Sequence, residues 1–128
     1  MGANCVLLIV SALSDEELVS FVALAKELGI AALVETHDEN EVGRALNAGA
    51  HLIGVNQRDL YTFEVDQERA VRVIREIPNS ITTVAESGIR NLEDAIVLAD
   101  AGYDAVLIGE AFVKSSNPSS LISSFSGL

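Results

Sequence analysis

Two stretches of the chain repeat one design: ALNAGAHLIGVN (residues 45–56) and LADAGYDAVLIGE (98–110). Each runs from a helix end through an Ala-Gly turn into a short, continuous apolar run. A glycine after a helical pattern is a stop signal, and an unbroken Val/Ile/Leu run with no polar alternation reads as a parallel strand covered on both faces. A βα unit that recurs along a chain implies right-handed crossovers, a parallel sheet, and a repeat-built or barrel architecture.

Working outward, three further runs have the same character: CVLLIV (5–10), AALVE (31–35) and ITTVAE (81–86). With HLIGVN (51–56) and AVLIGE (105–110) they make five strands separated by helical patterns. Ser14 with Glu17 three residues later is a capping box, and Leu18, Phe21, Val22, Ala25 and Leu28 follow at helical spacing up to Gly29. A second helix starts from Asp38 or Asn40 and ends at Gly49. A third spans about Asp66 to Ile77, before Pro78, and a fourth runs from an Asn91 cap to Gly102. Asn117-Pro118 opens a last one. Residues 1–128 therefore read as one domain of five βα units. A full (β/α)₈ barrel takes eight strands and roughly 250 residues. The expected fold class is α/β, as a partial barrel or, alternatively, an open flavodoxin-like doubly wound sheet.

Composition narrows the function classes. The net charge of −11 and pI near 4.4 leave no basic face for nucleic acid or an anionic membrane. The start, MGANCVLLIVSAL, carries no basic leader, and its polar residues come too early for a spanning helix. The single Cys5 cannot form an internal disulfide and reads as a small core residue; no Cys/His set has zinc spacing. A cytoplasmic setting and no metal are expected.

Parallel α/β folds work at the carboxyl ends of their strands. Glu35, Asn56, Glu86-Ser87-Gly88 and Gly109-Glu110 all end strands, with Arg58 two residues beyond Asn56. A carboxylate closing a buried strand, as Glu86 does, costs desolvation energy unless it has partners or work to do. Carboxylates tuned by neighbours suit acid-base chemistry, an arginine suits an anionic group, and amides at glycine turns suit a phosphate. His37, two residues beyond Glu35, reads mainly as part of the next helix cap. Asp59 reads as a partner for an arginine or for backbone amides, and Leu60 and Phe63 either as the wall of an aromatic substrate pocket or as packing over the loop after the third strand.

Here the chain resembles a known family. LVETHDENEVGRALNAGAHLIGVNQRDLYTFEVD (33–66), VAESGI (84–89) and AVLIGEAFV (105–113) are similar, in order, to the second half of indole-3-glycerol-phosphate synthase, a (β/α)₈ barrel of tryptophan biosynthesis. GVNQRDL is the most diagnostic piece. The resemblance implies that the five strands correspond to the fourth to eighth of the barrel. It implies a cofactor-free ring closure of 1-(2-carboxyphenylamino)-1-deoxyribulose 5-phosphate with loss of carbon dioxide and water. By motif match, Glu35, Asn56 and Glu86 resemble the family's catalytic residues. Arg58, Leu60 and Ser87 resemble its substrate contacts, and Ser87, Gly88, Gly109 and Glu110 its phosphate cradle. Many relatives have serine where this chain has Glu110, which could offer a phosphate only its amide.

The family's catalytic lysines belong to units with no counterpart here, and the two lysines present, Lys26 and Lys114, both read as lying off the rim. The expectation is a catalytically incomplete fragment, engineered or natural, whose open edges pair in a homo-oligomer or with a complementing N-terminal half-barrel. A noncatalytic phosphate-ligand module is the alternative. A response-regulator receiver domain has the same size and acidity, but lacks here its acidic pair, its phosphorylatable Asp and its Lys.

Overall fold

The computed structural model describes residues 2–59 and 62–125. Five strands, β1 (Cys5–Ile9), β2 (Ala31–Thr36), β3 (Leu52–Asn56), β4 (Thr82–Glu86) and β5 (Ala105–Leu107), form one parallel sheet in the order β1-β2-β3-β4-β5. Every strand lies beside its predecessor, so all crossovers progress in one direction. This is the arc of a (β/α)₈ barrel, and it corrects the doubly wound alternative, which requires the order to reverse about an interior strand.

The helices are α1 (Asp15–Glu27), α2 (Glu39–Asn47), α3 (Gln67–Val73), α4 (Leu92–Ala101), α5 (Glu110–Lys114) and α6 (Pro118–Ser124). Their starts follow from local chemistry. The Ser14 hydroxyl accepts from the Glu17 N–H while Glu17 accepts from the Ser14 N–H, a complete capping box. Asp38, rather than Asn40, caps α2, and Asp66, Asn91 and Asn117 cap α3, α4 and α6. α3 tightens into a 3-10 turn, Ile74–Glu76, ahead of Pro78. α4 ends where Gly102 takes φ 107°, a backbone angle costly for any residue with a Cβ.

One boundary differs from expectation: β5 stops at Leu107, and Glu110 opens the short α5 instead of ending the strand. β5 pairs on one side only, and its ladder with β4 covers Ala105 to Leu107. The Glu110 carboxylate also finds two cations once the chain turns.

The strand pleat divides the side chains into two sets. Val34, Ile53, Val55 and Ala85 face the helices and, with Val10 in the 3-10 turn just past β1, are fully buried against Leu18, Val42, Ala70, Val73 and Ala95. The other set lines the concave face. There only the residues nearest the carboxyl rim, Glu35, Gly54, Asn56 and Glu86, are buried. Leu7, lower on β1, is 50% exposed, and Leu107, level with Glu86 on edge strand β5, is 51% exposed. Cys5 is exposed too, against the expectation of a core residue, because it lies on this face of the edge strand β1. Among the described residues no helix is long and apolar enough to cross a membrane.

Candidate active site

At the carboxyl rim, the middle three strands bring three polar side chains together. Glu35 and Glu86 are each 4% exposed and Asn56 8%. Strand register sets Asn56 directly beside Glu86 and Glu35 beside Gly54. The Asn56 side chain ties two elements: its Nδ2 donates to Glu35 Oε1 at 3.1 Å, and its Oδ1 accepts from the Arg58 N–H at 3.0 Å. Glu86 Oε1 is buried without a hydrogen-bond partner, over the bare Cα of Gly54. Burial, followed by the negative charge of Glu35, pushes the Glu86 carboxyl up to about 7. A carboxyl poised there exchanges a proton readily at neutral pH.

Beside this group opens a cavity of about 1180 Å³, lined among others by Arg58, Glu86, Ser87, Gly88, Gly109 and Glu110. The turn after β4 is unusual: Ser87 has φ 64° and Gly88 φ 70°. A left-handed serine is strained, and such strain gathers where a backbone must present particular groups. A side chain at Gly88 would run into Val65, so this position stays bare as well. The turn is held by Gln57, buried to 2%, whose Nε2 donates to the Ser87 carbonyl at 2.8 Å and whose backbone N–H donates to the Glu86 carbonyl at 3.0 Å.

Arg58 points across the mouth. Its guanidinium donates to the Phe63 carbonyl at 3.0 Å and to Glu110 Oε2 at 2.5 Å. Glu110 Oε1 also accepts from Lys114 Nζ at 2.5 Å, and these cations hold its carboxyl below the usual glutamate range. Lys114 lines the cavity, which corrects the expectation that it lies off the rim: the early helix turn at Glu110 brings it back over the sheet. Asp59 accepts from the Thr62 N–H and pairs with Arg69, a bracing role. Phe63 is 66% exposed and stands outside the cavity lining; Leu60 lies outside the described residues.

The expected residues other than Leu60 therefore gather at one rim: Glu35, Asn56 and Glu86 as a buried cluster, and Arg58, Ser87, Gly88, Gly109 and Glu110 around the cavity. Three contributors were not anticipated. Gly54 in the middle of an apolar strand is a recognisable sign of close approach. Gln57 carries no signal beyond its place in NQRDL. The HDE stretch does cap the helix, through Asp38, but the His37 ring, placed within reach of both Glu35 and Glu41, adds a contribution beyond that cap. Among the described residues no group of three or more His, Cys, Asp or Glu side chains is arranged to hold a metal.

A family model described as indole-3-glycerol phosphate synthase matches residues 1–125. The chain belongs to the indole-3-glycerol phosphate synthase family. An indole-3-glycerol phosphate synthase of Acetivibrio thermocellus is 50% identical over 125 residues, covering 98% of this chain and 48% of that protein. One from Lachnoclostridium phytofermentans is 47% identical over 128 residues, covering all of this chain and 47% of its own. The chain thus spans about half the length of the curated synthases it matches. Among solved structures, a 3-hexulose-6-phosphate synthase superposes with a TM-score of 0.72 over 97% of this chain and 61% of its own, at 15% identity, a likeness of fold alone.

Proposed function

We propose that this chain supplies βα units four to eight of an indole-3-glycerol phosphate synthase site, as one domain. Its rim would bind 1-(2-carboxyphenylamino)-1-deoxyribulose 5-phosphate. The observation that carries this proposal is the buried Glu35–Asn56–Glu86 cluster bordering a cavity with Arg58 and the Ser87-Gly88 turn on its wall.

In the ring closure, the aromatic carbon bearing the carboxylate bonds to the substrate's keto carbon, whose oxygen takes up a proton. Carbon dioxide leaves, and the new hydroxyl departs as water. Protons must be given and taken near neutral pH, and Glu86, with its carboxyl pushed up to about 7 beside the charge of Glu35, suits that exchange. Asn56 holds Glu35 in place. Arg58 would take an anionic substrate group once Glu110 yields it, and the amides of Gly88, Gly109 and Glu110 would face the phosphate. No cofactor enters these steps, and a cytoplasmic location suits such a phosphorylated substrate.

Two features suggest that the chain by itself turns over poorly. Lys26 lies in α1, and the Lys114 ammonium is engaged by Glu110, so neither is free to protonate the keto oxygen. The same engagement favours, as a second reading, a noncatalytic module that only holds a phosphorylated ligand. The half-exposed Leu7 and Leu107 and the one-sided pairing of β1 and β5 also favour assembly, with another copy or with a complementing half-barrel.

Indole formation from the phosphorylated substrate, followed by product fluorescence, tests this. The expected result is no turnover by the chain alone and turnover when the family's first three βα units are added. Turnover by the chain alone that survives Glu35→Gln and Glu86→Gln would refute the assigned roles.

A further inference from the structure

His37 stands on the bend between β2 and α2, with its side chain 12% exposed. Both ring nitrogens meet carboxylates. Nδ1 is 3.0 Å from Glu41 Oε2, the same oxygen that accepts the His37 backbone N–H at 2.7 Å. Nε2 is 3.4 Å from Glu35 Oε1, the atom that also accepts from Asn56. Glu41 is fixed in turn, its N–H donating to the capping Asp38 at 2.8 Å.

A neutral imidazole has one N–H and one lone pair, so it would turn a lone pair toward one of these two carboxylates. The imidazolium donates to Glu41 and leaves its second N–H in ion-pair range of Glu35, where Nε2 is buried without a hydrogen-bond partner. The charged groups around the ring are Glu35 from β2, Glu41 from α2, Glu86 from β4 and Arg69 from α3. Only Arg69 opposes the cation, and it is itself paired with Asp59 and Asp66.

We propose that His37 is a positioning residue that works as an imidazolium: anchored by Glu41 and in ion-pair range of Glu35, it sets the charge under which Glu86 keeps or releases its proton. The bond to Glu41 raises the His37 pKa above its ordinary 6.5 against the cost of burial. Its positive charge pulls the Glu86 carboxyl down while burial and Glu35 push it up. Without the cation Glu86 would hold its proton to a higher pH, leaving less free carboxylate at neutrality. His37 thereby keeps the buried carboxyl reversible at working pH. The functional meaning rests on Glu35 and Glu86 being the reacting carboxylates; the ionisation itself does not.

The test is an NMR titration of the full chain from pH 4 to 9, following the Glu86 carboxyl carbon and the His37 ring nitrogens. The unmodified chain should show His37 protonated on both nitrogens with a midpoint above 6.5. In His37→Gln the Glu86 midpoint should rise by roughly half a unit or more. In Glu41→Gln, which keeps the ring but removes its anchor charge, the His37 midpoint should fall. A purely structural histidine would move neither. A His37 midpoint at or below 6.5, or a Glu86 titration unaltered by both substitutions, overturns the proposal. Should His37→Gln fail to fold, Glu41→Gln decides by the same criteria. The predicted midpoints in a chain that binds no phosphorylated ligand would refute the proposed function and leave this inference standing.

Discussion

Gly54 and Glu86 are matched in space: a methyl group on Gly54 would collide with the Glu86 carboxylate, which lies over the bare backbone of β3. The central strand gives up a side chain so that a carboxyl from the next strand can lie flat on the rim, 4% exposed. That one omission connects a sequence feature, glycine inside an apolar strand, to the burial that tunes the site.

Gly54→Ala should therefore displace Glu86 toward solvent. We expect a stability loss of about 1–3 kcal/mol from overpacking, read by urea denaturation. The Glu86 carboxyl midpoint should fall from about 7 toward its ordinary 4.5. The alanine would disturb the titration with no charge added or removed.

Stability should decline with rising pH across that same window. A carboxyl whose folded pKa exceeds its unfolded one holds, in the folded state, a proton the unfolded chain has already released. The stabilisation is complete below 4.5 and is lost as pH rises through about 7. His37, also raised, loses its share above 6.5. Glu86→Gln, which imitates the protonated acid, should be more stable than the unmodified chain by roughly 2–3 kcal/mol at pH 8 and about equal at pH 4. Denaturation midpoints at the two pH values check the sign.

Glu110 stands where an anionic ligand would need to be, with its carboxylate on both Arg58 and Lys114. Glu110→Gln should free both cations and strengthen binding of a phosphorylated ligand several-fold at low ionic strength, with the gain shrinking as salt rises. Arg58→Ala should weaken it. Calorimetric titrations at two salt concentrations compare them.

The concave face predicts association. Replacing Leu7, half exposed on the concave face of edge strand β1 and outside the cavity lining, by Asp puts a charge on that apolar surface. Sedimentation velocity should then show a shift from assemblies toward the single chain, with unchanged circular dichroism. A chain that sediments as a monomer before substitution contradicts the association itself.

The strands, the helix caps and the rim were readable in the sequence because they rest on local rules: continuous apolar runs, Ser14 with Glu17, Asn91 with Gly102, and a carboxylate at a strand end. Strand order was not, since composition and period are the same for an arc of a barrel and for a doubly wound sheet; it is the β1-β2-β3-β4-β5 neighbour pattern that separates them. At the site, Glu35, Asn56 and Glu86 were legible one by one. Their mutual contacts, and the approach of His37 to Glu35, depend on crossing between strands 21 or more residues apart or on which way a bend turns. Lys114 was missed for a related reason. Its return to the cavity depends on α5 beginning at Glu110, and a Gly-Glu pair after a strand does not announce a helix of five residues.

The most direct test of the central claim is an amide chemical-shift titration of the chain with indole-3-glycerol phosphate. The account predicts saturable shifts at Gly88, Gly109 and Glu110, together with the Asn56 side-chain amide, all lost in Arg58→Ala. Saturating shifts confined to residues outside this rim, or no saturation at millimolar ligand, would contradict it.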